Sequence, residues 1–197
     1  MTTGLVESFE GYAVGAMPSG FSPAETNGRG TPARWGVADG GHEGGVRSLR
    51  VSDVVNEGDT YNLLLSDPAY PADVAIDVRI RADAGEEDQG GGLLWRARGP
   101  RDYYIARWNP LEDNVRIYKV KDGVRTQFAS AKVVVPPGQW HHLAVTMQGD
   151  HARVAFDGKP LLDIHDATFT GPGRIGFWTK ADAAVSFDDL SVKLLAP

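Results

Sequence analysis

Arginine, asparagine and aromatic residues crowd the stretch from Asp88 to Val120, DQGGGLLWRARGPRDYYIARWNPLEDNVRIYKV, more densely than solubility requires. Such groups suit sugars: rings stack on C–H faces, while guanidinium and amide groups make forked hydrogen bonds to hydroxyls. The candidate ligand-contacting residues are Trp95, Tyr104, Arg107, Asn109, Asn114, Arg116 and Tyr118, joined by Trp178 from a later segment. An ordinary amphipathic β-meander is the plain alternative for each of them.

Two further groups invite a chemical reading. Trp178, Lys180 and Asp182 fall at alternating positions, so a regular strand would project them together toward the same sugar-binding sheet. Asp188 and Asp189, with Glu7 near the other end of the chain, can form a structural Ca²⁺ site where terminal strands meet, because Ca²⁺ takes hard carboxylate oxygens. A pair of solvated acids is the simpler reading, and no other cofactor is required. His141 and His142 are adjacent, face opposite ways on a strand and cannot share one zinc ion. His42, His151 and His165 read as surface residues.

The elements that must position these groups are strands. LLWRAR follows Gly90, Gly91 and Gly92; YYIARW follows the Gly99–Asp102 turn; NVRIYKV follows the break from Asn109 to Asp113. In the third strand a period of two puts Val115 and Ile117 on one face and Asn114, Arg116 and Tyr118 on the other. In the second, Ile105 draws Tyr103 and Arg107 to its face and leaves Tyr104, Ala106 and Trp108 opposite, yet Arg107 lies close enough to a turn to swing outward. Its facing stays open.

Elsewhere, VAIDVRIR gives the cleanest alternation, with Val74, Ile76, Val78 and Ile80 on one face, as expected of a central half-buried strand. His141, Leu143, Val145 and Met147 share a face in WHHLAVTMQG. ARVAFDGKPLLDIH reads as a hairpin about Asp157-Gly158. LVESF opens the chain as a short strand, GYAVGAMPSGF reads as a loop, and VSFDDLSVKLL closes the chain. On the order of twelve strand-like segments separated by regular turns, with no convincing helix, predict an all-β, two-sheet antiparallel jelly-roll sandwich occupying residues 1–197 as one domain. In such a fold the first and last strands often pair.

Composition narrows the partners. The chain has 197 residues, 42% of them hydrophobic and 23% charged, which is enough for a substantial core and leaves little room for disorder. A net charge of −6 without a basic run argues against nucleic acid, which demands a concentrated cationic face. No apolar run approaches the roughly 20 residues of a membrane span, so no membrane partner is expected. The absence of cysteine excludes disulfides and thiolate metal sites. The opening MTTGLVESFEGY carries no basic or apolar leader segment. The chain as given therefore reads as cytoplasmic, or as periplasmic or extracellular if a leader has been removed.

W-H-H-L-A-V, a strand ending in F-D-G-K and the closing S-F-D-D-L-S-V together resemble the laminin-G-like and concanavalin A-like jelly rolls. More narrowly, R-W-N-P-L-E-D-N-V-R-I-Y-K-V with G-F-W-T-K-A-D and F-D-D-L resembles the bacterial 3-keto-disaccharide hydrolase domain family, often labelled family 16 glycoside hydrolase. The match covers about Gly90 to Val192. True family 16 enzymes place paired carboxylates at alternate positions of one strand, and nothing here reads E-x-D-x-E. The resemblance instead implies elimination: a ketone at C3 acidifies the C2 hydrogen, a base removes it, a donor holds the enolate and the C1 substituent leaves. For that chemistry His142 or Asp182 is assigned as the base, and Arg107, Arg116 or Lys180 as the donors. An enzyme acting on 3-keto-glycosides, a non-catalytic domain binding an oligosaccharide or glycoside, and a structural module all remain open; the last is favoured if the sugar-facing sheet is filled by the chain itself.

Overall fold

The computed structural model describes residues 4–29, 32–52, 54 and 56–196, and the described residues form two antiparallel sheets packed face to face. The eight-stranded sheet runs β13 (Lys159–His165), β12 (His151–Phe156), β11 (His141–Gln148), β6 (Val74–Ala84), β15 (Ala184–Leu194), β4 (Arg47–Ser52), β3 (Arg34–Asp39), with β1 (Leu5–Glu7) also against β15. The seven-stranded sheet runs β10 (Val124–Lys132), β9 (Asn114–Lys121), β8 (Asp102–Asn109), β7 (Gly91–Gly99), β14 (Arg174–Lys180), β5 (Tyr61–Ser66), β2 (Phe21–Thr26). This is a jelly roll, and its first and last strands pair as expected, Glu7 opposite Leu190.

Alternation builds the core between the sheets. β6 offers Val74, Ile76, Val78 and Ile80, β11 offers Leu143, Val145 and Met147, and β9 offers Val115 and Ile117, all buried in one cluster. At its centre Phe177 meets Phe9, Phe21, Trp35 and Phe187, with ring centroids 4.9–6.5 Å apart. Aromatic contacts of this kind add to the burial of the rings themselves.

One element departs from expectation. Phe21–Thr26 is a strand, β2, that begins on the last residue of the GYAVGAMPSGF loop and runs through Pro23, a segment the alternation does not mark. It lies at the edge of its sheet, where a proline's missing N–H leaves no ladder bond unmade. The RTQFASAKVVV segment, which reads as two strands or one bent one, forms the one bent strand β10 up to Lys132, with a register shift between Gln127 and Ala129.

The seven-stranded sheet does not stay open on its outer face. The end of β2 reaches the turns before β8 and β10: Thr26 Oγ1 hydrogen-bonds the carbonyl of Pro100 and lies 2.9 Å from the Tyr103 hydroxyl, and Asn27 Nδ2 donates to Gly123 O at 2.8 Å. Six strand-to-strand steps of right-handed twist bring these diagonal corners together. The sheet therefore curls around a second apolar cluster: Tyr61, Leu63, Leu65, Leu94, Ala97, Tyr103, Ile105, Tyr118, Val120 and Trp178.

Candidate functional site

The register across the curled sheet carries Trp178, Gly92, Arg107 and Arg116 in one row over four strands. Gly92 permits it: a Cβ there would come within 2.0 Å of Ala106 O. Along this row and the next, the polar residues of the Asp88–Val120 stretch converge. Arg107, only 1% exposed, donates from Nη1 to Asn114 Oδ1 at 2.6 Å and from Nη2 to Glu112 Oε2 at 2.9 Å and Tyr118 Oη at 3.1 Å. Arg116 reaches the same Glu112 oxygen at 2.7 Å and the same tyrosine at 3.4 Å. Lys180 pairs with buried Asp88 at 3.2 Å, and Asp88 also accepts from Asn109 Nδ2 at 3.0 Å and Gly90 N at 2.6 Å. Glu112, Arg116 and Lys180 keep part of their surface toward solvent, so the network is assembled before any ligand arrives.

Charge states follow from this packing. Burial would raise the Glu112 carboxyl, but the guanidinium of Arg107, with Asn114 and Arg116, outweighs it and holds the group below the usual carboxylate range. Burial likewise opposes the charge of Arg116, and its contacts with Tyr118 and Glu112 more than restore it.

Arg125, which the sequence reading did not select, completes the face. Its guanidinium lies 4.6 Å from the ring centre of Tyr118, 5.1 Å from Tyr61 and 5.9 Å from Trp178, attracted by their π-faces. Its Nη1 is buried without a hydrogen-bond partner, and among the described residues no carboxylate pairs with it. Beside it opens a cavity of about 300 Å³ lined by Asn27, Arg29, Asp59, Tyr61, Gly123 and Arg125. Tyr118 joins the two halves, with its hydroxyl in the Arg107 network and its ring under Arg125. The weak alternation of RTQFASAK does not mark Arg125; pairing with β9 sets it diagonal to Tyr118, and the curl of the sheet brings it to the rings of β5 and β14.

Several expected residues stand elsewhere. Trp95 and Tyr104 point into the core between the sheets, because alternation puts them with Ala106 and Trp108 rather than with Ile105 and Arg107. Tyr104 also hydrogen-bonds Asp166 there. Trp178 does face the network but is fully buried against Tyr61, 5.2 Å between ring centres. Asp182 does not follow Trp178 and Lys180: the chain turns at Ala181 with φ +47°, and the carboxylate takes the amides of Glu86, Glu87 and Asp88 at 2.6–3.1 Å. Burial opposes its ionisation, but those three N–H groups prevail and hold it below the usual range.

His142 lies on the outer face of the other sheet, 3.2 Å from Asp77, so the trio His142, Asp182 and Lys180 does not assemble. Its neighbour His141 is the core-edge histidine, packed on Trp108 and Phe156. The acids of the calcium grouping are already hydrogen-bonded within the fold. Glu7 accepts from Phe9 N and Tyr12 Oη, whereas Asp188 accepts from His42 N and Asp189 N, both at 2.7 Å. Asp188 is 2% exposed rather than solvated, and the carboxylate near it is Glu10: a Cβ built at Gly45 would meet both acids.

Fold and site define a jelly-roll domain with a preorganised polar and aromatic face on its curled sheet. The family model of the 3-keto-alpha-glucoside-1,2-lyase-like domain matches residues 19–193, and the chain belongs to that family. Over 141 residues, 69% of the chain, it is 24% identical to levanase of Bacillus subtilis (strain 168), and the match spans about a fifth (20%) of that relative's length. Among solved structures it is similar to carbohydrate binding module CBM66 from Bacillus subtilis, with TM-score 0.68 and 21% identity over 88% of this chain and 95% of that one. It is also similar to the cellulose induced protein Cip1, with TM-score 0.68 and 12% identity over 96% of each chain. The Ca²⁺/Man-bound exoplasmic/lumenal domain of VIP36 follows at TM-score 0.62 and 15% identity, covering 98% of this chain and 90% of that one.

Proposed function

We propose that this chain is a carbohydrate-binding domain and that the saccharide lies on the solvent-facing groups above buried Tyr118, with Glu112, Arg116 and Lys180 on one side and Arg125 on the other. The observation that carries this reading is the pairing of complementary groups held ready on one face. Arg116, Lys180 and Arg125 offer donors to sugar oxygens, and Glu112 offers an acceptor to sugar hydroxyls. Groups already fixed by buried neighbours lose little freedom on binding. The resemblance to CBM66 and to part of a levanase supports the reading and suggests fructose-containing saccharides as the first to try.

Elimination from a 3-keto-glycoside is the second reading, favoured by the family's own description. Its weak point on this face is the base. Glu112 is held below the usual carboxylate range, as is Asp182 off the face, whereas proton abstraction asks for a pKa near the working pH.

The test is titration calorimetry of the wild-type protein, Arg116→Ala and Glu112→Gln against fructan, cello- and manno-oligosaccharides. Incubation with a 3-keto-glucoside and its unoxidised parent accompanies it. Saturable binding to one class, weakened about tenfold or more in both variants, with no aglycone release, is expected; tenfold corresponds to about 1.4 kcal/mol, within reach of one charged hydrogen bond. Binding that survives both substitutions would remove the site, and release from the keto sugar alone would replace the binding reading with the lyase.

A further inference from the structure

On the outer edge of the eight-stranded sheet, the β12–β13 hairpin brings together two histidines that lie fourteen positions apart. Its register sets His151 directly opposite His165. Their rings stack at 4.4 Å between centres with 8° between planes. Asp163, two positions before His165 and therefore on the same side of β13, stands 2.7 Å from His151 Nε2. One ligand atom from each of His151, Asp163 and His165 can be chosen so that all three lie within 4.8 Å of one another. Asp150 lies 3.1 Å from His165 Nδ1.

We propose that His151, His165 and Asp163 bind one divalent transition-metal ion, with Asp150 orienting the His165 ring. Two imidazoles and a carboxylate are the donor set that suits Zn²⁺, Ni²⁺ or Cu²⁺ and disfavours Ca²⁺ and Mg²⁺, which take oxygen ligands. Bond lengths near 2.0–2.2 Å bring the three donors closer than they now stand, and small rotations of the exposed rings suffice, since the strand backbones already hold them in register. A carboxylate on the second nitrogen of a ligating histidine fixes its orientation, as Asp150 does here. With three protein donors the ion keeps open positions for water or for a group from another molecule. The site lies at the far strand of the sheet opposite the curled face, so it is independent of the sugar-binding reading.

Binding is measured by calorimetry on the full chain without an affinity tag, using ZnCl₂, NiCl₂ and CuCl₂, with CaCl₂ and MgCl₂ alongside. One saturable Zn²⁺ equivalent is expected, abolished in both His151→Ala and His165→Ala, weakened at least tenfold in Asp163→Asn and retained in His42→Ala, each checked for folding by circular dichroism. A rise in the thermal midpoint with Zn²⁺ that disappears in His165→Ala gives a second reading of the same site. Absence of saturable Zn²⁺, Ni²⁺ and Cu²⁺ binding by the wild-type protein, or binding unchanged in the two histidine variants, would overturn the proposal.

Discussion

On the outer face of the seven-stranded sheet Arg107 is 1% exposed and every neighbour of its guanidinium is fixed. On the eight-stranded sheet Arg47 meets Asp39 at one end of the β3–β4 pair, on the side of Val37 and Leu49, with most of that carboxylate in water, and on the outer face Arg81 lies over Trp140 at 4.7 Å while bonding Asp83 at 2.6 Å. Both sheets carry arginines beside carboxylates, and the first has curled until its corners touch. Curling removes water from the groups inside, and a desolvated charge persists only if paired and hydrogen-bonded. The Arg47–Asp39 pair, with 78% of the Asp39 side chain exposed, is by contrast a solvated contact worth little. The face with the greater desolvation is therefore the one whose polar groups are rigid, and rigidity is what a weakly binding ligand such as a sugar needs from its site.

The sharpest way to break this comparison is to delete one arginine. Arg107→Ala strands the side-chain oxygen of Asn114 beneath the network, while Glu112 and the Tyr118 hydroxyl retain Arg116. A loss of about 3 kcal/mol in unfolding free energy is expected, the lower end of the range for breaking a buried pair. Urea unfolding at unchanged m-value measures it. A loss below about 1 kcal/mol would put Arg107 in the same class as the arginines of the other face.

Asp188 tests the other side of the comparison, because it is the buried charge of the flatter sheet. It sits where β15 passes from β4, paired at Ser186 and Phe187, to β1, paired from Leu190, and Asp189 adopts φ +48° at that break. Burial, with Asp189 and Glu10 nearby, pushes the Asp188 carboxyl up to about 6 against the bonds from His42 N and Asp189 N. The folded state thus prefers the protonated form. The stability that Asp188 contributes is full below about pH 4 and is lost as pH rises through about 6. Asp188→Asn should therefore raise the thermal midpoint by a few degrees at about pH 8 and leave it nearly unchanged at about pH 4. An equal change at both values, or a lower midpoint at the higher pH, would show that the acid is stabilised in the fold by something other than its proton.

The strands were legible wherever one face is apolar: β6, β9 and β11 alternate as the sequence predicts. β2 was hidden because Pro23 reads as a break unless the strand is known to be an edge. Within the site, the residues of β8 and β9 that share a face with Ile105 or Tyr118 were found, while Trp95 and Tyr104 were chosen for their type against the alternation that places them inside. Three further features rest on contacts between distant segments, which no local pattern encodes. The left-handed turn at Ala181 removed Asp182 from its strand's line, the corner contact of the sheet brought Arg125 over its rings, and hairpin symmetry about Asp157-Gly158, offset by one bulge, set His151 opposite His165.

The smallest expected effect is the one that calibrates the rest. Arg47 and Asp39 are cross-strand partners of β4 and β3, close together, and 28% and 78% of their side chains are exposed. Distance alone would rank this pair with Arg107–Glu112. Solvent decides otherwise: at high dielectric the Coulomb gain is small, salt screens it, and holding two long side chains still offsets much of the remainder. Arg47→Ala should change the unfolding free energy by no more than about 0.5 kcal/mol, and added salt should leave the difference from wild type almost unmoved. A loss near that of Arg107→Ala would mean that geometry rather than desolvation sets what such a pair contributes. The rigidity of the curled face would then have to be explained without the exclusion of water.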